Sequence, residues 1–215
     1  MSKAFKMEYP KIPSELKEVN FQEYFSEEEP YIMDSMIADM VIDDGSIEKL
    51  TLSRVSFREV KLTHSSFKKI DMADVIFENC DLSNTSFTEG IIHRVTFKNC
   101  KLLGLDLSNA NLKNVTFDHC LLNLSEFIEA KLKKVVFDHS ILQSANYYDC
   151  SFEKVQFVHC DINDIDFTQT VLNGIDLSTC TFDRINVSAN NLRGCVVSPE
   201  QAISFASLLG LTVKQ

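Results

Sequence analysis

The sequence predicts a solenoid whose coils each take twenty residues, laid out as four five-residue sides, and three periodicities carry that prediction. From Leu52 to Val197 every position whose number ends in 2 or 7 is apolar, thirty in a row without an insertion. Positions ending in 5 or 0, from Val55 to Cys195, hold Val, Cys, Ser, Ala, Thr, Ile, Leu or Gly, with Asn190 the single amide and no charge. Since 24% of the chain is charged, this uncharged grid is not chance. Finally, stepping by twenty aligns Val55, Val75, Val95, Val115, Val135 and Val155 in one column, and Cys80, Cys100, Cys120, Cys160 and Cys180 in another that Ser140 interrupts. Neither a helical period of 3.6 nor a strand period of 2 produces such a pattern. Residues related by a fixed step meet the same neighbours, so each coil stacks on the last.

A period of ten is superposed. Between 57 and 167, positions ending in 7 are Phe in ten of twelve cases, Leu107 and Tyr147 being the exceptions, while those ending in 2 are mostly Leu, Ile or Met. One coil buries little by itself, because its ring of apolar side chains has neither floor nor ceiling; stacking closes both. The triplets around Phe67 (SSF), Leu82 (CDL), Leu107 (LDL), Leu112 (ANL) and Phe167 (IDF) follow the pattern A-(D/N)-L-x-x. In this the chain resembles the pentapeptide-repeat family over roughly residues 31–197. The resemblance implies an all-β fold, a right-handed quadrilateral parallel β-helix. Its central residue and the one two before it point inward, and the other three point out. Counting Ile32, Ile37, Ile42 and Ile47, which extend the register upstream, the rod has about eight and a half coils and a length on the order of 40 Å.

The elements divide as 1–30, an N-terminal capping segment; 31–197, the β-helix; and 198–215, a C-terminal helix and strand acting as a dimerisation cap. In the first, PSELKEVNFQEYFSEEEP predicts one amphipathic helix from Ser14, with Leu16, Val19 and Tyr24 inward and a stop before Pro30. In the last, Ser198 is the N-cap, Pro199 the first helical residue and Gln201 the partner in a capping box, with a helix to about Leu209 and Gly210 beyond its end. Its stripe of Ala202, Phe205, Ala206 and Leu209 covers the last coil. Apolar residues in surplus, Leu208, Leu211 and Val213, point to a second subunit, so Phe205, Leu208, Leu209, Leu211 and Val213 are the expected dimer interface.

The stretch VTFDHCLL, residues 115–122, places Asp118, His119 and Cys120 side by side. Within the repeat Cys120 is an inward position and His119 an outward one, so the two cannot work as nucleophile and base. All seven cysteines occupy the inward class, where the thiol is a small inert hydrophobe, and their odd number in an expected reducing cytosol argues against disulfides. His119, His139 and His159 form an outward column that no carboxylate or thiolate completes as a metal site, so a solvated ladder is expected. There is no nucleotide-binding glycine motif, no nucleophile and no acid-base pair, so no enzymatic activity, cofactor or metal is expected. The start of the chain has no signal-peptide pattern and no run approaches a bilayer span, which predicts a cytoplasmic protein.

The net charge of −10 disfavours direct nucleic-acid binding and suits a basic partner surface. It is unevenly spread: Lys113, Lys131, Lys133, Lys134 and Lys154, with Arg94, gather near one corner, whereas Asp161, Asp164, Asp166, Asp176 and Asp183 lie in the last coils. The tail resembles that of the quinolone-resistance (Qnr), MfpA and microcin-immunity branch of the family, in its loop-free form. That resemblance implies two rods joined end to end through their C-termini, imitating duplex DNA and binding DNA gyrase or topoisomerase IV. The five aspartates would then meet at the centre of the dimer as the partner-binding surface. The alternative, from another class, is a scaffold or adaptor in which the rod is a rigid spacer for a different protein partner.

Overall fold

A computed structural model describes residues 5–206, Gly210 and Thr212. The rod is built on seven eight-residue strands that recur along one side: β2 (Tyr31–Ala38), β4 (Thr51–Arg58), β6 (Asp71–Glu78), β7 (Ile91–Lys98), β8 (Asn111–Asp118), β9 (Lys131–Asp138) and β10 (Ser151–Val158). With the two-residue β1 (Lys17–Glu18) they form one parallel sheet in that order, and β3 (Val41–Asp43) pairs with β5 (Lys61–Thr63) on another side. Every pairing from β2 onward is offset by twenty residues: Val95 faces Val115, which faces Val135. Single parallel bridges carry the same offset along the remaining sides, as far as Asp176 with Val196.

The corners explain how a chain with only six glycines turns so often. Every fifth residue from Asp34 to Gly174 has a positive φ, and of these only Gly104 and Gly174 are glycine. The left-handed conformation costs an L-residue roughly 1–2 kcal/mol, least for Asn and Asp, yet Lys49, Arg54, His119 and Leu124 adopt it here. What holds them there is hydrogen bonding between coils, such as the Leu124 amide to the Gln143 carbonyl at 3.0 Å.

Inside, the aromatic rings stack along the axis. Phe77, Phe97, Phe117, Phe137 and Phe157 follow one another with centroids 4.9 Å apart and planes within 8° of parallel. In the opposite row Tyr147 lies on Phe127 at 4.4 Å and next to Phe167 at 5.6 Å. The small inward positions have a second task, because their thiols and hydroxyls donate to a carbonyl on the preceding coil. Cys120 Sγ reaches the Phe97 carbonyl at 3.4 Å, and Ser140, which interrupts the cysteine column, makes the equivalent bond to Phe117 at 3.3 Å. Tyr147 is the misfit. Its hydroxyl is fully buried without a hydrogen-bond partner among the described residues, and burial pushes its pKa well up. Tyr147→Phe is therefore expected to stabilise the rod by about 1 kcal/mol, seen as a melting temperature higher by roughly 2–4 °C.

The N-terminal expectation is corrected. No helix starts at Ser14: Lys17 and Glu18 pair with Ser35 and Met36 instead, and a 3-10 helix covers Phe21–Ser26. A helix would have left the edge of β2 unpaired, and an open parallel edge is the costlier arrangement. Val19 and Tyr24 do pack against the core, but Phe21 seals the first coil, edge-on to Phe57 at 5.8 Å and beside Phe67 at 5.9 Å.

At the other end α1 (Pro199–Ala206) begins as a capping box: the Gln201 amide donates to Ser198 Oγ at 3.3 Å, and the Ser198 amide to Gln201 Oε1 at 2.8 Å. The expected inner stripe is rotated. Ala202 is exposed, while Gln201 is buried with its side-chain amide donating to the Leu177 and Cys180 carbonyls at 2.9 and 2.8 Å. The Cys180 carbonyl has no following coil to pair with and the Leu177 carbonyl otherwise accepts only the Cys180 amide of its own turn, at 2.9 Å, so a donor faces them where the stripe would have placed a methyl group. Phe205, four residues on, meets Phe182 at 5.6 Å. Leu208, Leu209, Leu211 and Val213 lie outside the described residues.

Candidate partner-binding surface

The five aspartates assigned to a partner surface do not form one patch. Asp161, Asp164 and Asp183 lie on one side of the rod, because the positions ending in 61–64 and 81–84 stack directly. Asp166 stands on the following side and Asp176 on the preceding one, so these two face away from each other. Asp164 is also neutralised by the guanidinium of Arg184, one coil on. Asp161, Asp166 and Asp176 each accept the amide two residues ahead, at 3.1, 2.7 and 2.9 Å, which shapes the turn that follows.

One side of the C-terminal end nonetheless holds an acidic groove of about 390 Å³ between the last coil and α1. Asp161, Asp183 and Glu200 supply its carboxylates, and Gln143, Asn163 and Thr181 line it with polar groups. No cation among the described residues pairs with those three carboxylates. Asp183 is exposed, Asp161 accepts from Gln143 Nε2 at 2.7 Å, and Glu200 accepts from Ser198 Oγ at 2.8 Å. Hydrogen bonding to its own amide and to Ser198 lowers the Glu200 pKa, so it stays ionised. Glu200 was not among the sequence candidates. Its signal was there in the capping box, which sets the second helical residue beside the last coil.

The basic corner is a different surface. Lys113 and Lys133 are directly opposed on β8 and β9, and Glu153 on β10 pairs with Lys133 at 2.7 Å. Arg94 is engaged with Asp74 in a two-pronged ion pair at 2.6 Å, which holds that carboxyl below its ordinary pKa.

Asp118, His119 and Cys120 separate as expected: His119 is exposed and Cys120 is 1% exposed. The histidine ladder is real, with the His119 and His139 rings stacked at 5.0 Å and His159 a further 5.0 Å on. Asp118 and Asp138 bond the Nδ1 atoms of His119 and His139 at 2.6 and 2.7 Å and so orient the two rings. Among the described residues no three histidine, cysteine or carboxylate groups converge as a metal site.

The cysteines are free, six of them buried and Cys195 half-buried. Burial pushes the thiols of Cys150 and Cys160 up to about 12 and that of Cys195 to about 11. A charged thiol reagent at pH 8 is expected to modify Cys195 first and to reach the other six only on unfolding. Modification counted by mass spectrometry with and without denaturant checks this.

No helix of the described residues is long and apolar enough to cross a membrane. Residues 70–146 match the family model described as a pentapeptide repeat region. No curated protein shows significant sequence similarity to the chain. Among solved structures, a trypsin-treated form of QnrB1, a plasmid-mediated fluoroquinolone resistance protein, is 16% identical, with 93% of this chain and 97% of that one covered and a TM-score of 0.47. HetL of the cyanobacterium Nostoc, a pentapeptide-repeat protein involved in heterocyst differentiation regulation, is 15% identical over 79% of this chain and 83% of its own, at a TM-score of 0.28. Rfr23 of the cyanobacterium Cyanothece, another pentapeptide-repeat protein, is 12% identical over 64% and 91%, at 0.27.

Proposed function

This chain is a pentapeptide-repeat protein, and from that premise we propose that it binds a type II topoisomerase, DNA gyrase or topoisomerase IV, as a mimic of duplex DNA and so modulates quinolone or toxin sensitivity. The observation that carries the reading is the acidic groove at the C-terminal end, where Asp161, Asp183 and Glu200 stand without cationic partners among the described residues. Elsewhere on the rod several carboxylates are matched by cations one coil away, as in Asp34 with Arg54, Glu78 with Lys98 and Asp81 with Lys101, while Asp106, Glu129 and Asp149 have no such partner among the described residues. Three carboxylates that share one groove with no cation among them give it a local negative field. Such a concentration steers a basic partner and sets its register.

In this reading two rods join through α1 and the residues after it, Phe205, Leu208, Leu209, Leu211 and Val213, bringing both acidic ends to the middle of the assembly. The exposed Ile203 and Val196 near that end add apolar surface for the same contact. Purified chain is expected to change gyrase-catalysed supercoiling, with or without a quinolone, at micromolar concentration. No binding, inhibition or protection would remove the topoisomerase reading and leave the adaptor. Sedimentation at micromolar concentration tests the dimer separately.

A further inference from the structure

The segment ahead of β1 lies along the rod in a way its sequence did not foretell. Residues 5–16 have no helix or strand of their own. They run down one corner of the rod, against the direction in which the coils grow. Phe5 lines a groove with Phe152, Lys154 and Asn173; the Glu8 amide donates to Asn114 Oδ1 at 3.3 Å; the Lys11 amide donates to Asp74 Oδ1 at 3.0 Å. By Val19 the chain has joined the ladder, its amide donating to the Met36 carbonyl at 3.0 Å.

Lys154, Asn114, Asp74 and Asp34 belong to one column of corner residues and are two coils apart. Two coils rise about 9.6 Å. Three residues of a polyproline-like chain rise about 9.3 Å. Every third residue of an extended segment therefore meets every second coil, and the register holds from Phe5 beside Lys154 through Glu8 at Asn114 to Lys11 at Asp74. Pro10 and Pro13, three apart, fix φ near −65° and favour this extended form. The two amides that bond the rod, Glu8 and Lys11, have the same spacing.

The rod itself supplies further partners on the receiving side: Asn114 Nδ2 lies 3.5 Å from His93 Nε2, and Asp74 is oriented by Arg94. Both acceptors sit on the corner of the ladder, bonded to neighbouring coils, and the segment's Phe5, Met7, Pro10, Ile12 and Pro13 are only half-buried. Glu8 lies within electrostatic reach of His93 and Arg94, which favours an acidic residue at its place.

We propose that this corner is a binding site for an extended, proline-bearing peptide segment, filled in cis by residues 5–13 and able to take a partner protein's segment with the same spacing of apolar side chains and free amides. The rod would then be a clasp for a chain terminus or linker, independently of any topoisomerase contact.

The full-length chain carrying Glu8→Pro and Lys11→Pro loses both anchoring amides while its rod is untouched. A fluorescent peptide of residues 4–16 is expected to bind this variant at least tenfold more tightly than it binds the unmodified chain. The same peptide N-methylated at Glu8 and Lys11 should lose at least tenfold in affinity. Equal binding of the N-methylated peptide, or no binding to a variant that melts like the unmodified chain, overturns the proposal. Self-association of the variant that the peptide reverses assigns the corner to a second copy instead and overturns the partner. Should the variant fail to fold, amide exchange on the unmodified chain decides. The Glu8 and Lys11 amides should exchange at least a hundredfold faster than those of β8; equal protection means a fixed strap and ends the proposal.

Discussion

Val115→Arg is expected to unfold the centre of the rod. Val115 is fully buried and stacked between Val95 and Val135, with rungs about 4.8 Å apart, so a guanidinium there finds neither water nor an acid. An unpaired charge in such a place costs on the order of 5 kcal/mol or more, comparable to the stability of a whole domain. Repeats communicate only with their neighbours, so coils on both sides should lose order while distant ones keep it longer. Circular dichroism should show strand loss, and hydrogen exchange should show it centred on residues 95–135. Cys120→Ser is the contrasting substitution. Ser140 already holds the equivalent slot and bonds the equivalent carbonyl, so Cys120→Ser should stay within about 1 kcal/mol of the unmodified chain. If Val115→Arg melts like the unmodified chain, the interior has been assigned to the wrong side chains.

Asp161→Asn, Asp183→Asn and Glu200→Gln together are expected to weaken topoisomerase binding by roughly 10²-fold and to flatten its salt dependence. The amides keep the shape of the groove: after Asp161→Asn the side-chain oxygen can still accept from the Asn163 amide, as the Asp161 carboxylate does at 3.1 Å. Glu200→Gln gives up a favourable charge in the first turn of α1, a loss of about 0.5 kcal/mol. Melting temperature should therefore barely move while binding falls. Lys113→Gln with Lys133→Gln, on a different side of the rod, should leave binding unchanged or tighten it. If the acidic triple variant alters supercoiling as well as the unmodified chain does, the groove is not the contact.

The acidic end shows how far sequence went toward the site. Charge counting along the chain points to the last coils, because every coil maps to a known block of twenty residues. It could not say which carboxylates share a side or keep a free charge. Arg184 cancels Asp164, and Asp166 and Asp176 turn away from the groove. Glu200 joins from the helix, and the orientation of that helix depends on Gln201 reaching the Leu177 and Cys180 carbonyls.

Sequence alone determined the rod. Its period of five says which side chains between 52 and 180 form the core, and its step of twenty says which rings stack, since both follow from a repeat that does not slip there. Only the tertiary structure decided the course of residues 5–30. There the amides of Glu8 and Lys11 meet side chains 106 and 63 residues away, and β1 answers the edge of β2. A local pattern of apolar residues can suggest a helix, but it carries no information about an acceptor that distant coils bring to the same corner.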